Sequence, residues 1–137
     1  MYKRQVEALI DVKKKVKPYL DLQLVAFPQD GLLRSPGAME QLQRALRMGV
    51  DVVGGIPHFE RTMHDGAESV RLLCELAAEQ GRLVDMHCDE TDDPHSRHIE
   101  MLAMESLRPC RPRDGIAPDV DAFDGQLLRV QADSAHP

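Results

Sequence analysis

The chain has 137 residues, of which 42% are hydrophobic and 29% charged, and its net charge is −6. This length and composition are typical of one globular domain with a single hydrophobic core. The negative charge argues against a nucleic-acid surface, which needs concentrated basic residues. No apolar run is long enough to cross a membrane. We therefore expect neither nucleic acid nor a membrane as a partner.

Cysteine usage indicates the compartment. The three cysteines, Cys74, Cys88 and Cys110, cannot all pair with one another, and none of them forms a Cys-x-x-Cys motif. Free thiols are usual in reducing compartments. The first residues also lack the apolar segment of a secretory signal. The sequence therefore predicts a cytoplasmic protein.

Hydrophobic periodicity predicts helices that alternate with short strands. Apolar residues recur at helical spacing over residues 5–16, 38–48, 67–80 and 94–106. Aliphatic and β-branched runs predict strands over residues 22–27, 50–56 and 83–87. The strands begin about every thirty residues, which is the interval of βα units in a parallel sheet. The fold class predicted is therefore α/β, with about three βα units.

Polar side chains follow each predicted strand. Gln29 follows the first strand, His58 and Glu60 follow the second, and His87 and Glu90 follow the third. The carboxyl ends of parallel strands meet at one edge of the sheet, where such folds place their sites. Because a closed barrel needs eight units and about 250 residues, residues 1–107 are predicted to form part of a TIM (β/α)8 barrel.

Three motifs in this region resemble those of a known family. They are VAFPQDG at residues 25–31, GIPHFE at residues 55–60 and DMHCDE at residues 85–90. In this order and spacing they are similar to the motifs of bacterial cytosine deaminases, members of the amidohydrolase superfamily of metal-dependent (β/α)8 barrels. The resemblance runs from about Val6 to Leu107, and three motifs in register are far more specific than a lone His-x-x-Glu.

The resemblance implies roles for three residues. His87 corresponds to a metal-binding histidine at a strand end, and the metal in such enzymes is iron or zinc. Glu90 corresponds to the carboxylate that carries a proton from the metal-bound water to the pyrimidine ring. Gln29 corresponds to the amide that recognises the polar edge of the substrate, because its side chain offers both a donor and an acceptor.

The sequence also departs from the family pattern. The family carries a His-x-His pair on its first strand, which supplies two further metal ligands, and this sequence contains no His-x-His. A catalytic zinc site needs at least three protein ligands. We therefore expect that this chain alone neither retains the metal nor deaminates a substrate.

Three functions remain open from the sequence. The leading hypothesis is a fragment of an enzyme that hydrolyses cytosine, a small pyrimidine, to uracil and ammonia. The second is a related amidohydrolase acting on another amino-substituted heterocycle, such as a triazine. The third is a non-catalytic α/β remnant. The resemblance also allows a homo-oligomer for the intact enzyme.

Other residues near the motifs have plainer interpretations. His58 is expected to support the pocket. His95 and His98 lie three apart on a predicted helix, a spacing that can chelate a metal, but a solvent-facing pair is the favoured interpretation. Strand alternation predicts that Cys88 points away from the face that carries His87.

The composition changes at Arg108. Residues 108–137 are rich in proline, glycine and charge, and they show no helix or strand pattern, which is typical of a disordered tail. Another interpretation is a frame-shifted tail. With suitable synonymous codons, a one-base shift lets the residues from Ile116 onward resemble the family's next metal-site strand, including its histidine.

Overall fold

The computed structural model describes residues 2–107 and 128–131. They form four helices and four strands that alternate along the chain. In chain order these are α1 (Tyr2–Val16), β1 (Val25–Ala26), α2 (Ala38–Met48), β2 (Val52–Gly55), α3 (Met63–Gln80), β3 (Leu83–His87), α4 (His98–Ser106) and β4 (Leu128–Gln131). A short 3-10 turn, Pro57–Phe59, follows β2.

The four strands form one parallel sheet in the order β1-β2-β3-β4. Sequential strands are therefore neighbours, and each pair is joined by a helical connection, as in βα units. Val53 is in register with both Ala26 and Val84. The predicted α/β class with a small parallel sheet is confirmed.

Helices cover one face of this sheet. On this face the strands bury the side chains of Ala26, Val53, Val84 and Met86, and Val53 and Met86 have no exposed surface. They belong to one hydrophobic core together with residues of α2, α3 and α4, among them Leu42, Leu46, Val70, Leu73 and Leu102. Burial of this apolar surface is the main force that holds the helices against the sheet.

The opposite face carries a different set of side chains. Val25 and Phe27 project over Gly54, because a Cβ on Gly54 would lie 2.8 Å and 2.5 Å from their side-chain atoms. Gly54 is in register with Asp85. Glycine at this position therefore leaves room for the Phe27 ring, which reaches toward the carboxyl end of the sheet.

Two of the differences from the sequence-based boundaries have a cause that the structure shows. The first strand is shorter than predicted, because Asp51 binds the backbone before it: its Oδ2 accepts a hydrogen bond from the Leu24 amide at 2.8 Å. Helix α3 begins earlier, at Met63, because the hydroxyl of Thr62 caps it by accepting from the Asp65 amide at 3.0 Å.

The tail departs from its prediction at one place. The sequence pattern indicated no strand after residue 107, whereas residues 128–131 form β4 and pair with β3 from Val84 to His87. Hydrogen bonding to an existing strand edge stabilises a segment whose own pattern is weak. The rest of the predicted disordered or frame-shifted tail lies outside the described residues.

Within the described parts of the chain, no helix combines the length and apolarity of a membrane span.

Candidate active site at the carboxyl ends of the strands

His87 ends β3 and lies beside an aromatic ring from the first βα loop. The centroids of the His87 and Phe27 rings are 5.0 Å apart, and the ring planes meet at 65°. Such edge-on contacts are favourable for aromatic rings. Phe27, which follows β1, and His87, which ends β3, therefore meet at the carboxyl edge of the sheet.

Glu90 turns back toward this histidine. Its Oε2 lies 3.5 Å from Nδ1 of His87. Both side chains remain accessible, with 44% and 51% of their surface exposed. At this separation the carboxylate and the imidazole are in direct electrostatic contact. The structure therefore brings these two residues together at the end of β3.

Asp89 shapes the turn that brings Glu90 into place. Its backbone is left-handed, with φ 59°, a conformation that aspartate tolerates better than most residues. Its carboxylate accepts hydrogen bonds from the amides of His98 at 2.8 Å and Ile99 at 3.0 Å, and from the hydroxyl of Ser96 at 2.6 Å. Burial raises the pKa of Asp89, but these hydrogen bonds outweigh it and leave the pKa below its ordinary value.

His98 is a structural residue, and its predicted solvent-facing pairing with His95 is wrong. His95 is exposed, whereas His98 is only 2% exposed. Its Nδ1 lies 3.1 Å from Asp89 Oδ1. The ring packs so closely on α3 that a Cβ on Gly66 would lie 2.1 Å from its Nε2. The prediction assumed that both histidines lie on a helix that starts at residue 94. In the structure α4 begins at His98, four residues later, so His95 lies outside the helix.

His58 follows β2 and lies near the same edge. Both of its ring nitrogens are buried and lack a hydrogen-bond partner among the described residues. Burial lowers the pKa of His58, and the nearby carboxylate of Glu90 opposes that change. Each ring nitrogen of an imidazole can make one hydrogen bond.

The loop after β1 carries Gln29, whose side chain is exposed. Its backbone amide donates to the Phe27 carbonyl at 3.1 Å. The loop is joined to the end of β2 by Glu60, whose Oε1 accepts from the Leu32 amide at 2.6 Å. The sequence placed Glu60 at the strand end but assigned it no role, because its partner lies 28 residues away.

Cys88 lies apart from these polar groups. It packs against the hydrophobic core that the helices form, in agreement with its predicted direction away from His87. Burial raises the pKa of its thiol to about 12.

The donor set for a metal is incomplete in the part of the chain that the structure describes. No group of three or more histidine, cysteine, aspartate or glutamate side chains is arranged there to hold a metal ion. His87 with Glu90 supplies two potential donors, fewer than a stable site requires. The described residues therefore do not by themselves fit a metal centre.

Comparison with known proteins identifies similar enzymes, although no protein-family model matches the sequence. The chain is 52% identical to 5-methylcytosine deaminase from Klebsiella pneumoniae, solved in complex with phosphonocytosine and with 5-fluorocytosine. The match has a TM-score of 0.71 and covers 74% of this chain but only 25% and 24% of the two deaminase chains.

Two further relatives are named for a different substrate. N-isopropylammelide isopropylaminohydrolase from Burkholderia multivorans ATCC 17616 matches with 28% identity and a TM-score of 0.65, over 75% of this chain and 26% of that one. N-isopropylammelide isopropyl amidohydrolase from Pseudomonas sp. (strain ADP) is 30% identical over 105 residues, which are 76% of this chain and 26% of the relative. The resemblance predicted from the three motifs is confirmed: over about a quarter of their length, this chain is similar to cytosine deaminase-like enzymes of the amidohydrolase superfamily.

Proposed function

We propose that this chain forms part of the active site of an enzyme that hydrolyses cytosine or a close analogue to the corresponding uracil and ammonia. The observation that carries the proposal is the His87–Glu90 pair, with 3.5 Å between Nδ1 and Oε2, at the end of a strand in a segment 52% identical to a 5-methylcytosine deaminase. In this proposal the whole enzyme is a (β/α)8 barrel, of which β1, β2 and β3 are part.

Each proposed residue has a chemical task. Water adds to the amino-bearing ring carbon, the adjacent ring nitrogen gains a proton, and ammonia leaves. We assign to Glu90 the movement of that proton, because an accessible carboxylate beside the substrate can accept it and return it. We assign to Gln29 the recognition of the carbonyl and ring nitrogen, since a carboxamide matches both.

His87 is the proposed metal ligand of this segment. Deaminases of this superfamily are generally metal-dependent, and such a metal, iron or zinc, acidifies a water molecule. The other ligands are not found among residues 2–107. In this proposal they come from other parts of an intact, cytoplasmic and homo-oligomeric enzyme, and this chain alone is inactive.

A triazine derivative is the second candidate substrate. It is favoured by the two N-isopropylammelide hydrolases among the relatives. Their identities of 30% and 28% are well below the 52% of the cytosine enzyme. Cytosine is therefore the better supported ring.

A binding experiment on the full chain tests whether cytosine or a triazine is the preferred heterocycle. We expect millimolar cytosine to shift the NMR signals of the Gln29 carboxamide and of the backbone at His87 and Glu90, with a smaller response to N-isopropylammelide. Gln29→Ala weakens the response without abolishing it, whereas the matched control Gln41→Ala, an exposed glutamine on α2, retains it in full. A stronger response to N-isopropylammelide would favour the triazine, and a cytosine response confined to other surfaces would overturn the proposal.

A further inference from the structure

Three consecutive backbone amides converge on the carboxylate of Glu60. Oε1 accepts from Leu32 at 2.6 Å and from Leu33 at 3.0 Å, and Oε2 accepts from Arg34 at 2.9 Å. Successive N–H groups that point at one anion form a concave site of partial positive charge. Here the anion is a side chain from the turn after β2, and the amides belong to the loop after β1.

The local geometry of the loop is built around this contact. Gly31 has φ +89°, and a Cβ at this position would lie 3.1 Å from the Glu60 carboxylate. Only glycine combines that backbone conformation with so close an approach. Leu32 is 5% exposed and anchors the loop in the core. A second bond joins the same two segments, because Arg34 Nη1 donates to the Phe59 carbonyl at 3.2 Å.

Gln29 lies between this contact and β1. The Pro28 carbonyl accepts from the Gly31 amide at 2.9 Å, which closes a tight turn around Gln29. One end of that turn continues from β1, and the other leads directly into the three amides bound by Glu60. The position of the Gln29 backbone is therefore determined from both sides.

We propose that Glu60 is a positioning residue for substrate recognition, acting through Gln29. Resting on the function proposed above, this assignment means that Glu60 presents the Gln29 carboxamide at the carboxyl edge of the sheet. Without Glu60 the loop loses its connection to β2, and the carboxamide samples many orientations. The carboxamide is then no longer held in the orientation that binds the polar edge of the pyrimidine, so the affinity for cytosine falls.

A double-mutant cycle on the full chain separates positioning from general stability. The single variants are Glu60→Ala and Gln29→Ala, the double variant combines them, and the control is Glu40→Ala, an exposed glutamate on α2. We expect Glu60→Ala to raise amide exchange at residues 32–34 at least tenfold and to weaken cytosine binding at least tenfold. We expect no further loss of binding when Glu60→Ala is added to Gln29→Ala. The control leaves both quantities unchanged.

The outcomes distinguish the two proposals. If wild type responds to cytosine and Glu60→Ala binds it equally well, the positioning role is overturned while the proposed function stands. Additive losses in the double variant would also overturn it, because Glu60 would then act independently of Gln29. If cytosine leaves wild type unperturbed, the proposed substrate is overturned and the positioning role falls with it. Where Glu60→Ala does not fold, Glu60→Gln, which keeps the size and one acceptor oxygen, takes its place.

Discussion

The Oδ1 atom of Asp89 lies 3.1 Å from Nδ1 of His98, so a carboxylate in the loop after β3 contacts a histidine buried against α3. The same carboxylate accepts from the first two amides of α4, His98 and Ile99. Asp89 thus acts as the N-terminal cap of a helix that begins nine residues later. The junction between the site and α4 depends on this one side chain.

Asp89→Ala should lower the free energy of unfolding by about 2 kcal/mol, because it removes a helix cap and leaves the His98 and Ile99 amides without their acceptor. Urea denaturation measures this. The matched control is Asp92→Ala, three residues away and exposed, which should change stability by less than about 0.5 kcal/mol. Equal effects of the two substitutions would contradict a capping role for Asp89.

The sequence predicted the elements best where local pattern and tertiary contacts agree. The bounds of α2 and β3 match those expected, because α2 ends at Gly49, whose φ of 107° stops the helix, and β3 has an apolar start that alternates into His87. The start of β1 was predicted less well, because Asp51, from a distant part of the chain, accepts a hydrogen bond from the Leu24 amide.

Two spatial relationships at the strand ends follow from the sequence pattern. Parallel topology brings the end of β3 near the loop after β1, where Phe27 contacts His87. An i, i+3 relation brings Glu90 back to His87. The roles of Glu60 and Asp89 were not predictable in this way. Each role depends on hydrogen bonds that a carboxylate accepts from backbone amides of another segment, and the residue type alone does not predict such contacts.

Gly66→Ala should destabilise the contact between α3 and α4. The added Cβ would lie 2.1 Å from Nε2 of His98, so the ring or the helix must move, which typically costs about 1–3 kcal/mol. Measured by urea denaturation, the cost should shrink in a His98→Ala background, where the ring is gone. A cost that stays the same in both backgrounds would show that the strain lies elsewhere.

Stability should fall at acidic pH partly through Asp51. Burial raises the pKa of Asp51, but hydrogen bonds from Lys13 and the Leu24 amide outweigh it, so the folded-state pKa lies below the ordinary value of 3.8. A carboxyl with a depressed folded pKa contributes stability above its unfolded pKa and loses it as the pH falls through the folded pKa.

Asp51→Asn should therefore flatten the pH dependence of unfolding below about pH 4, where wild type loses stability. At neutral pH the substitution should cost about 1 kcal/mol, since it weakens a partly exposed ion pair. The control is Asp21→Asn, at an exposed position. A wild-type acid transition retained in full by Asp51→Asn would argue against this contribution.

Cys74 and Cys88 should react slowly with iodoacetamide in the folded chain. Burial raises the pKa of each thiol to about 12, so little reactive thiolate is present at pH 8. Mass spectrometry of a Cys110→Ser variant follows these two sites alone. Denaturant should restore rapid labelling of both, and rapid labelling without denaturant would contradict their burial.

Glu90→Gln should leave stability almost unchanged while it alters the proposed site. The His87–Glu90 pair is about half exposed, and such pairs contribute less than about 1 kcal/mol. Urea denaturation should thus give nearly the wild-type free energy, in contrast to the neighbouring Asp89→Ala. The cytosine response at Glu90 and His87 should weaken, because a charged acceptor is replaced by an amide. A loss of about 2 kcal/mol in the free energy of unfolding would instead assign Glu90 a structural role, because a carboxylate with a purely chemical role is not expected to stabilise the fold.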